Sequence, residues 1–321
     1  MVALFNRGSQ AQDGGDAGSL RERFLAWWDG DEFLELSENP APAQEPEPKH
    51  EVHYEVPRQR WETSRVNLVQ KLWGEGFASP GGRDHILTMV NIFGLDPAMT
   101  VLDLGAGLGG AARFMCEKFG VWVTGFEADA ALAEAAMALS VKAGMGEKAP
   151  INVFEPKSFE HKAKSVDCVF SKEFLFTVAN KPKFLKAVEN LLKLKGQFLF
   201  TDYILARPHL KSPVLEEWMA HEPLKPHPWA LDDYQEALTT VRLDIRVVED
   251  VTEMFRAMVI KGWADYIQST RRGSIGEEAA PALVDEVELW TRRIQAIDSG
   301  DLKVCRVHVF KKATGRMMSD W

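Results

Sequence analysis

The chain is 321 residues long, 45% hydrophobic and 26% charged, with a formal net charge of −9. That balance describes a globular chain able to bury a core without metals or disulfides. The negative charge argues against a nucleic-acid binder, which needs clustered Lys and Arg, and the separated Cys116, Cys168 and Cys305 form neither a disulfide framework nor a zinc site.

Residues 1–18 are rich in Gly, Gln and Asp and are expected to be disordered. They have no basic n-region and no apolar h-region, so no signal peptide is expected. No stretch reaches the roughly 20 apolar residues of a membrane span. The expected location is therefore cytoplasmic. Ser19 to Ser37 reads as a short amphipathic helix, with Ser19 and Glu22 as a capping box and Phe24, Leu25, Trp27, Trp28, Phe33, Leu34 and Leu36 as its apolar content. Its acidic residues argue against an anionic lipid surface. Docking on the main domain, or a homodimer contact with a second subunit, is left. Asn39–Lys49 is Pro- and Glu-rich and reads as an extended linker. Residues 1–50 are thus predicted to be an extension, and 51–321 one domain.

Within that domain β-rich runs alternate with helical patterns. The runs are Thr100–Leu104, Trp122–Glu127, Ile151–Phe154, Val166–Ser171, Gly196–Thr201, Leu243–Glu249 and Lys303–Lys311. Helical patterns cover Gly109–Phe119, Ala130–Ala143, Lys181–Lys193 and Asp232–Thr240. The alternation predicts an α/β fold: a doubly wound, mostly parallel, seven-stranded sheet with helices on both faces. Insertions around 205–230 and 252–300 are predicted to form a helical cap over its carboxyl edge, where open sheets of this kind bind ligands.

The strongest local signal is Val101-Leu-Asp-Leu-Gly-Ala-Gly-Leu-Gly-Gly110, an apolar strand that runs into glycines and then a helix. Glycines there permit a tight turn and let a ligand approach the backbone. Gly105, Gly107 and Gly110 also satisfy the pattern of dinucleotide binders, so they do not choose the cofactor by themselves. Glu127 ends the second strand, where a carboxylate can accept bonds from both ribose hydroxyls. It supports an adenosine ligand without naming it. After the third strand, Phe159 could cover an adenine face and Ser158 could bond its amino group; Phe159 reads equally well as core. A nicotinamide enzyme would need a hydride-transfer apparatus, and no Tyr-x-x-x-Lys occurs at Tyr54, Tyr203, Tyr234 or Tyr266.

The segment Trp73-Gly-Glu-Gly-Phe-Ala-Ser-Pro-Gly-Gly82, the glycine turn, Thr201-Asp-Tyr203, Trp290-Thr-Arg-Arg-Ile294 and Phe310-Lys-Lys-Ala313 together resemble the phosphoethanolamine N-methyltransferases, of the class I S-adenosylmethionine-dependent methyltransferases. The resemblance runs from about Gln59 to Ala313. It implies that Asp103, Gly105, Ala106, Gly107, Gly109, Glu127 and Ala128 hold S-adenosylmethionine, with Asp103 near the ammonium of its methionine end. It further implies that Ser79 and Gly81 close over the carboxylate end, with Ser158 and Phe159 at the adenine. Ser171 would lie beside cofactor and acceptor, and Asp202 and Tyr203 would face the acceptor.

The chain departs from that family where the substrate proton is handled. The family's Tyr–His dyad falls on Trp61 and Thr177, and an acid of the same segment falls on Glu173. Tryptophan has no phenolic proton and threonine is no base near neutral pH. Phosphoethanolamine is therefore a doubtful acceptor. Glu173, Asp202, His85 and His227 are the candidate bases, and Glu173 and Asp202 stand best, at strand carboxyl ends. Tyr203 joins them as a catalytic candidate; Trp61, Thr177 and His227 are candidates to touch the acceptor. Trp61 could bind a methylated ammonium through its ring or simply pack the lid. Arg292 and Arg293 could meet a phosphate or carboxylate, or be solvated helix charges. No His/Asp/Glu cluster has metal-ligand spacing. The expected partner is a small-molecule acceptor, most readily an amine. Three other readings stand beside it: a carbon or oxygen acceptor, a cofactor binder that has lost turnover, and a nicotinamide-dependent oxidoreductase.

Overall fold

The computed structural model describes residues 61–270 and 280–312. The expected disordered segment, the Trp-rich helix, the linker and the homodimer contact assigned to that helix lie outside the described residues.

Two helices precede the sheet, α1 (Thr63–Trp73) and α2 (Gly82–Val90). Leu68, Val69, Leu72 and Trp73 recur at helical spacing and bury one side of α1. The alternating part follows: β1 (Thr100–Leu104), α3 (Gly110–Phe119), β2 (Trp122–Glu127), α4 (Ala130–Lys142) and β3 (Ile151–Val153). After β4 (Val166–Lys172) come α5 (Lys181–Leu191), β5 (Leu192–Leu205), α6 (Pro213–His221), β6 (Trp229–Ala230) and α7 (Leu231–Thr240). The chain then runs through β7 (Leu243–Asp250), α8 (Thr252–Thr270), α9 (Ala280–Asp298) and β8 (Leu302–Lys311). Asp129, Asn180 and Ser212 cap α4, α5 and α6, each accepting a backbone N–H of the first turn.

The strands line up as β3-β2-β1-β4-β5-β8-β7. β1 to β5 pair in parallel, and β8 runs against both neighbours. The seven predicted strands are all present, and the two-residue β6 adds an eighth by pairing with the end of β5. Central strands β1 and β4 are buried on both faces, so they read as apolar runs rather than alternations. β5 is longer than its predicted core Gly196–Thr201. A register shift against β4 between Val166 and Cys168, with Lys195 at φ 64°, lets its first residues pair before the polar interruption.

Leu102, Leu104, Phe198 and Phe200 of the strands pack with Phe184 and Val188 of α5 and Tyr234 and Leu238 of α7. The predicted cap segments are helical: α9 packs on α6, α8 and α1. Their common centre is aromatic, with the Trp73 ring 4.8 Å from Trp290 and 6.3 Å from Trp263. Among the described residues no helix is long and apolar enough to cross a membrane.

Candidate active site

Gly105 and Ala106 turn back at the end of β1, and both N–H groups donate to Phe126 O of β2, at 2.8 and 3.0 Å. The turn needs glycine for two physical reasons. Gly105 has φ +77°, and a Cβ there would sit 2.4 Å from Cβ of Phe174. At Gly110 a Cβ would sit 2.4 Å from the carbonyl oxygen of Gly76, so the upstream loop rests directly on the start of α3. Gly107 (φ 55°) and Gly109 (φ 72°) complete the left-handed positions, and Ala106, between Gly105 and Gly107, is buried. Arg113 of α3 ties this region together, donating to Leu108 O at 2.8 Å and to Ala136 O and Ser140 Oγ of α4 at 3.3 Å.

Glu127 closes on the same turn. Its Oε2 accepts from Gly107 N at 2.8 Å and its Oε1 from Asp129 N at 3.0 Å. Burial raises its pKa above the ordinary carboxylate value despite these bonds. The half-buried Ala128 lies between. Asp103 points inward from β1 and is 2% exposed, and among the described residues its Oδ2 has no hydrogen-bond partner. Burial, reinforced by Glu127 and opposed by Lys172, pushes Asp103 up to about 7. A buried carboxylate oxygen without a donor is costly unless something supplies one.

Sheet register places Lys172 of β4, Thr201 of β5 and Arg306 of β8 side by side. They share one face of the sheet. Lys172 Nζ donates to Ser79 Oγ at 2.6 Å and to Glu173 Oε2 at 2.7 Å. Glu173, at φ +44°, accepts from Thr201 Oγ1 at 2.6 Å through its other oxygen. Ser79 and Glu173, more than ninety residues apart, thus meet through a lysine that sequence reasoning passed over. The signal was present: Lys172 follows an apolar strand at its carboxyl end, where a charged residue is out of pattern. His85 is buried under Gly81; burial, then Lys172 and Arg306, push it down to about 3, so it is neutral and no base.

Asp202 and Glu173, paired in expectation, part company. Asp202 Oδ1 accepts from Phe176 N at 3.0 Å and Oδ2 from Tyr234 Oη at 2.5 Å, so each oxygen is tied to the chain and the side chain is fully buried. Burial raises Asp202 and lowers its neighbour Lys181, whose Nζ donates to the carbonyls of Val178 and His227. Tyr203 lies on the opposite side of the strand, in edge contact with Phe176 (5.0 Å) and Phe255 (5.8 Å), and burial raises its phenol. Ser171 Oγ donates to Leu104 O at 2.8 Å, joining β4 to β1. Thr177 Oγ1 donates to Phe174 O at 2.8 Å within a single helical turn. The His227 N–H donates to Phe176 O at 2.6 Å, and burial lowers the pKa of its ring. Phe159 is buried between Phe126, Phe154 and Phe184, while Ser158 is exposed. The Trp61 ring carries the Arg65 guanidinium, 4.1 Å from its centroid, so a cation of the chain itself sits on that ring. Neither Arg292 nor Arg293 is a solvated helix charge: each is paired with glutamates.

A family model described as a methyltransferase domain matches residues 81–241, half of the chain. Phosphoethanolamine N-methyltransferase 3 of Arabidopsis thaliana is 25% identical over 244 residues, covering 76% of this chain and 49% of its own. Sarcosine/dimethylglycine N-methyltransferase of Aphanothece halophytica is 33% identical over 132 residues, 36% of this chain and 47% of its own. The chain spans about half the length of these curated relatives. Phosphoethanolamine N-methyltransferase 2 of Haemonchus contortus, solved with phosphomonomethylethanolamine and S-adenosylhomocysteine, superposes with a TM-score of 0.69 at 23% identity. That superposition covers 78% of this chain and 58% of the solved one, and it shows the shared fold.

Proposed function

The chain belongs to the methyltransferase-domain family, and from that membership we propose that it transfers a methyl group from S-adenosylmethionine to a small amine, as one domain over residues 51–321. The observation that carries the reading is Asp103: a buried carboxylate with an unpartnered oxygen beside a glycine turn. An ammonium donor fits that oxygen, and the α-ammonium of a methionine moiety is such a donor. Glu127 uses one lone pair of each oxygen on the turn and keeps others for two ribose hydroxyls. Lys172 and Ser79 form a donor pair suited to the carboxylate of the same moiety. The glycines at 105, 107 and 109 keep side chains out of the approach, with Ala106 and Ala128 as its small walls.

S-adenosylmethionine, when bound, supplies a methyl group on sulfonium sulfur. The chain's own residues then align and desolvate the acceptor, which is most of what an in-line displacement requires. Glu173 is the carboxylate that can accept a proton from, or pair with, an amine at this edge. Its bonds to Lys172 and Thr201 hold it in place without consuming every lone pair. Asp202 acts as a positioning residue, fixing the Phe176 turn and Tyr234. The test is mass-spectrometric detection of methylated product and S-adenosylhomocysteine across an amine panel. Cofactor binding with no product from any amine, alcohol or activated carbon acid would favour a binder without turnover instead. Product from a carbon or oxygen acceptor alone would move the acceptor class. The nicotinamide reading loses its ground with the family membership.

A further inference from the structure

Resting on the methyl-transfer reading above, we propose that the acceptor is a small amine carrying no phosphate, because Glu222 already fills the guanidinium fork of Arg293 at the acceptor end. Arg293 reaches from α9 and donates through Nε and Nη2 to the two oxygens of Glu222, both at 2.7 Å. The pair is enclosed, with side-chain exposures of 14% for Arg293 and 2% for Glu222. A third donor, Trp218 Nε1, reaches Glu222 Oε1 at 2.6 Å. The carboxylate therefore accepts three bonds from the chain itself.

This pair stands next to the predicted acceptor residues. The Arg293 guanidinium lies 5.6 Å from the Tyr203 ring centroid, and Tyr203 is two residues beyond Thr201, which holds Glu173. A buried, forked arginine beside an aromatic ring is the group that phosphate recognition calls for. A phosphomonoester brings about −1.5 to −2 charges at neutral pH and must find donors for them. Here the fork is spent on an internal carboxylate of matching shape.

Other cations of this edge are engaged too. Lys172 gives two of its three protons to Ser79 and Glu173 and, on the reading above, the third to the cofactor carboxylate; Lys181 serves two backbone carbonyls. Arg292 is shared between Glu217 and Glu288; Arg306 meets Glu249 through Nη2, while among the described residues its buried Nε has no hydrogen-bond partner. A phosphate placed at Arg293 would face Glu222 at close range. An amine without phosphate is instead favoured by Glu173, whose two bonds to Lys172 and Thr201 leave lone pairs for a cation.

The test uses the full-length protein saturated with S-adenosylhomocysteine. Ethanolamine and its mono- and dimethyl derivatives are titrated calorimetrically against phosphoethanolamine and phosphomonomethylethanolamine. The expected result is at least tenfold tighter binding of an unphosphorylated member. Glu222→Gln, which keeps the shape but frees the fork's charge, should narrow or reverse that ratio. Phosphorylated amines that bind the wild-type protein as tightly as their unphosphorylated partners overturn the proposal, and so does silence from every unphosphorylated amine. The wild-type comparison decides alone if Glu222→Gln does not fold. Failure of S-adenosylhomocysteine itself to bind would sink the cofactor reading beneath the proposal, and that result is read separately in the first titration.

Discussion

Near the end of β1, Asp103 keeps a buried carboxylate oxygen with no partner among the described residues, whereas in β5 each oxygen of Asp202 accepts a bond from the chain. The contrast extends to their surroundings. Around Asp103 the chain offers glycines, free lone pairs on Glu127 and the donors of Lys172 and Ser79. Around Asp202 and Tyr203 it offers aromatic rings and closed ion pairs, with Lys181, Arg292 and Arg293 all engaged. One half of the edge has polar atoms with unused bonding capacity, which suit a zwitterionic, hydroxyl-rich ligand. The other half has satisfied its charges internally and has little left for a charged ligand beyond Glu173.

The most disruptive way to break the comparison is at the closed half. Glu222→Ala leaves Arg293 buried and unpaired, and breaking such a pair costs about 3–5 kcal/mol. Denaturant unfolding should show that loss; a change under roughly 1 kcal/mol would mean that solvent reaches Arg293 and the half is not closed. At the open half, Gly105→Ala puts a Cβ 2.4 Å from Phe174 at a φ of +77°. The expected cost is about 2–3 kcal/mol, from left-handed strain together with overpacking. Cofactor affinity should fall with it, and retention of both would show that the turn has slack.

The pH dependence sharpens the comparison further. Burial pushes Asp103 up to about 7, above the ordinary carboxylate range. An acid raised in this way makes the unliganded fold less stable as pH rises from the unfolded value towards 7, and the effect levels off above it. An ammonium needs the ionised carboxylate. Below about pH 7, binding must therefore expel a proton, and affinity should drop by up to about tenfold per pH unit. Calorimetry of S-adenosylhomocysteine at pH 6 in buffers of different ionisation enthalpy should reveal that proton, and at pH 8.5 it should be gone. Equal apparent enthalpies at pH 6 would mean that Asp103 is ionised before the ligand arrives. The smallest effect is expected at Trp61→Ala. It removes an intramolecular Arg65 contact worth about 0.5–1 kcal/mol, so stability should change little. A loss of amine binding much larger than that would return Trp61 to the acceptor.

The open half was the more legible in the sequence. β1 and β2 begin and end where the apolar runs do, and the glycines announce the turn because few residues can occupy its left-handed positions. The closed half depends on partners distant along the chain. Glu222 and Arg293 are 71 residues apart, and no spacing rule connects them; in the open half the Ser79–Lys172 contact, across 93 residues, was hidden for the same reason. The divergence of Glu173 and Asp202 was hidden for another reason. Each ends or nears the end of a strand, where the pleat decides which layer a side chain enters, and adjacent strands add a register of their own. The two-residue β6 carries no period at all, and it is visible only because it pairs with β5.

The central claim is that the glycine turn, Asp103 and Glu127 form a seat for S-adenosylmethionine, and calorimetric titration of the protein with S-adenosylhomocysteine tests it most directly. Wild-type protein should bind in the micromolar range, and Asp103→Ala should weaken binding about 10- to 100-fold, the value of a lost charge-assisted hydrogen bond. No binding by the wild-type protein, or equal affinity in both, would contradict the account.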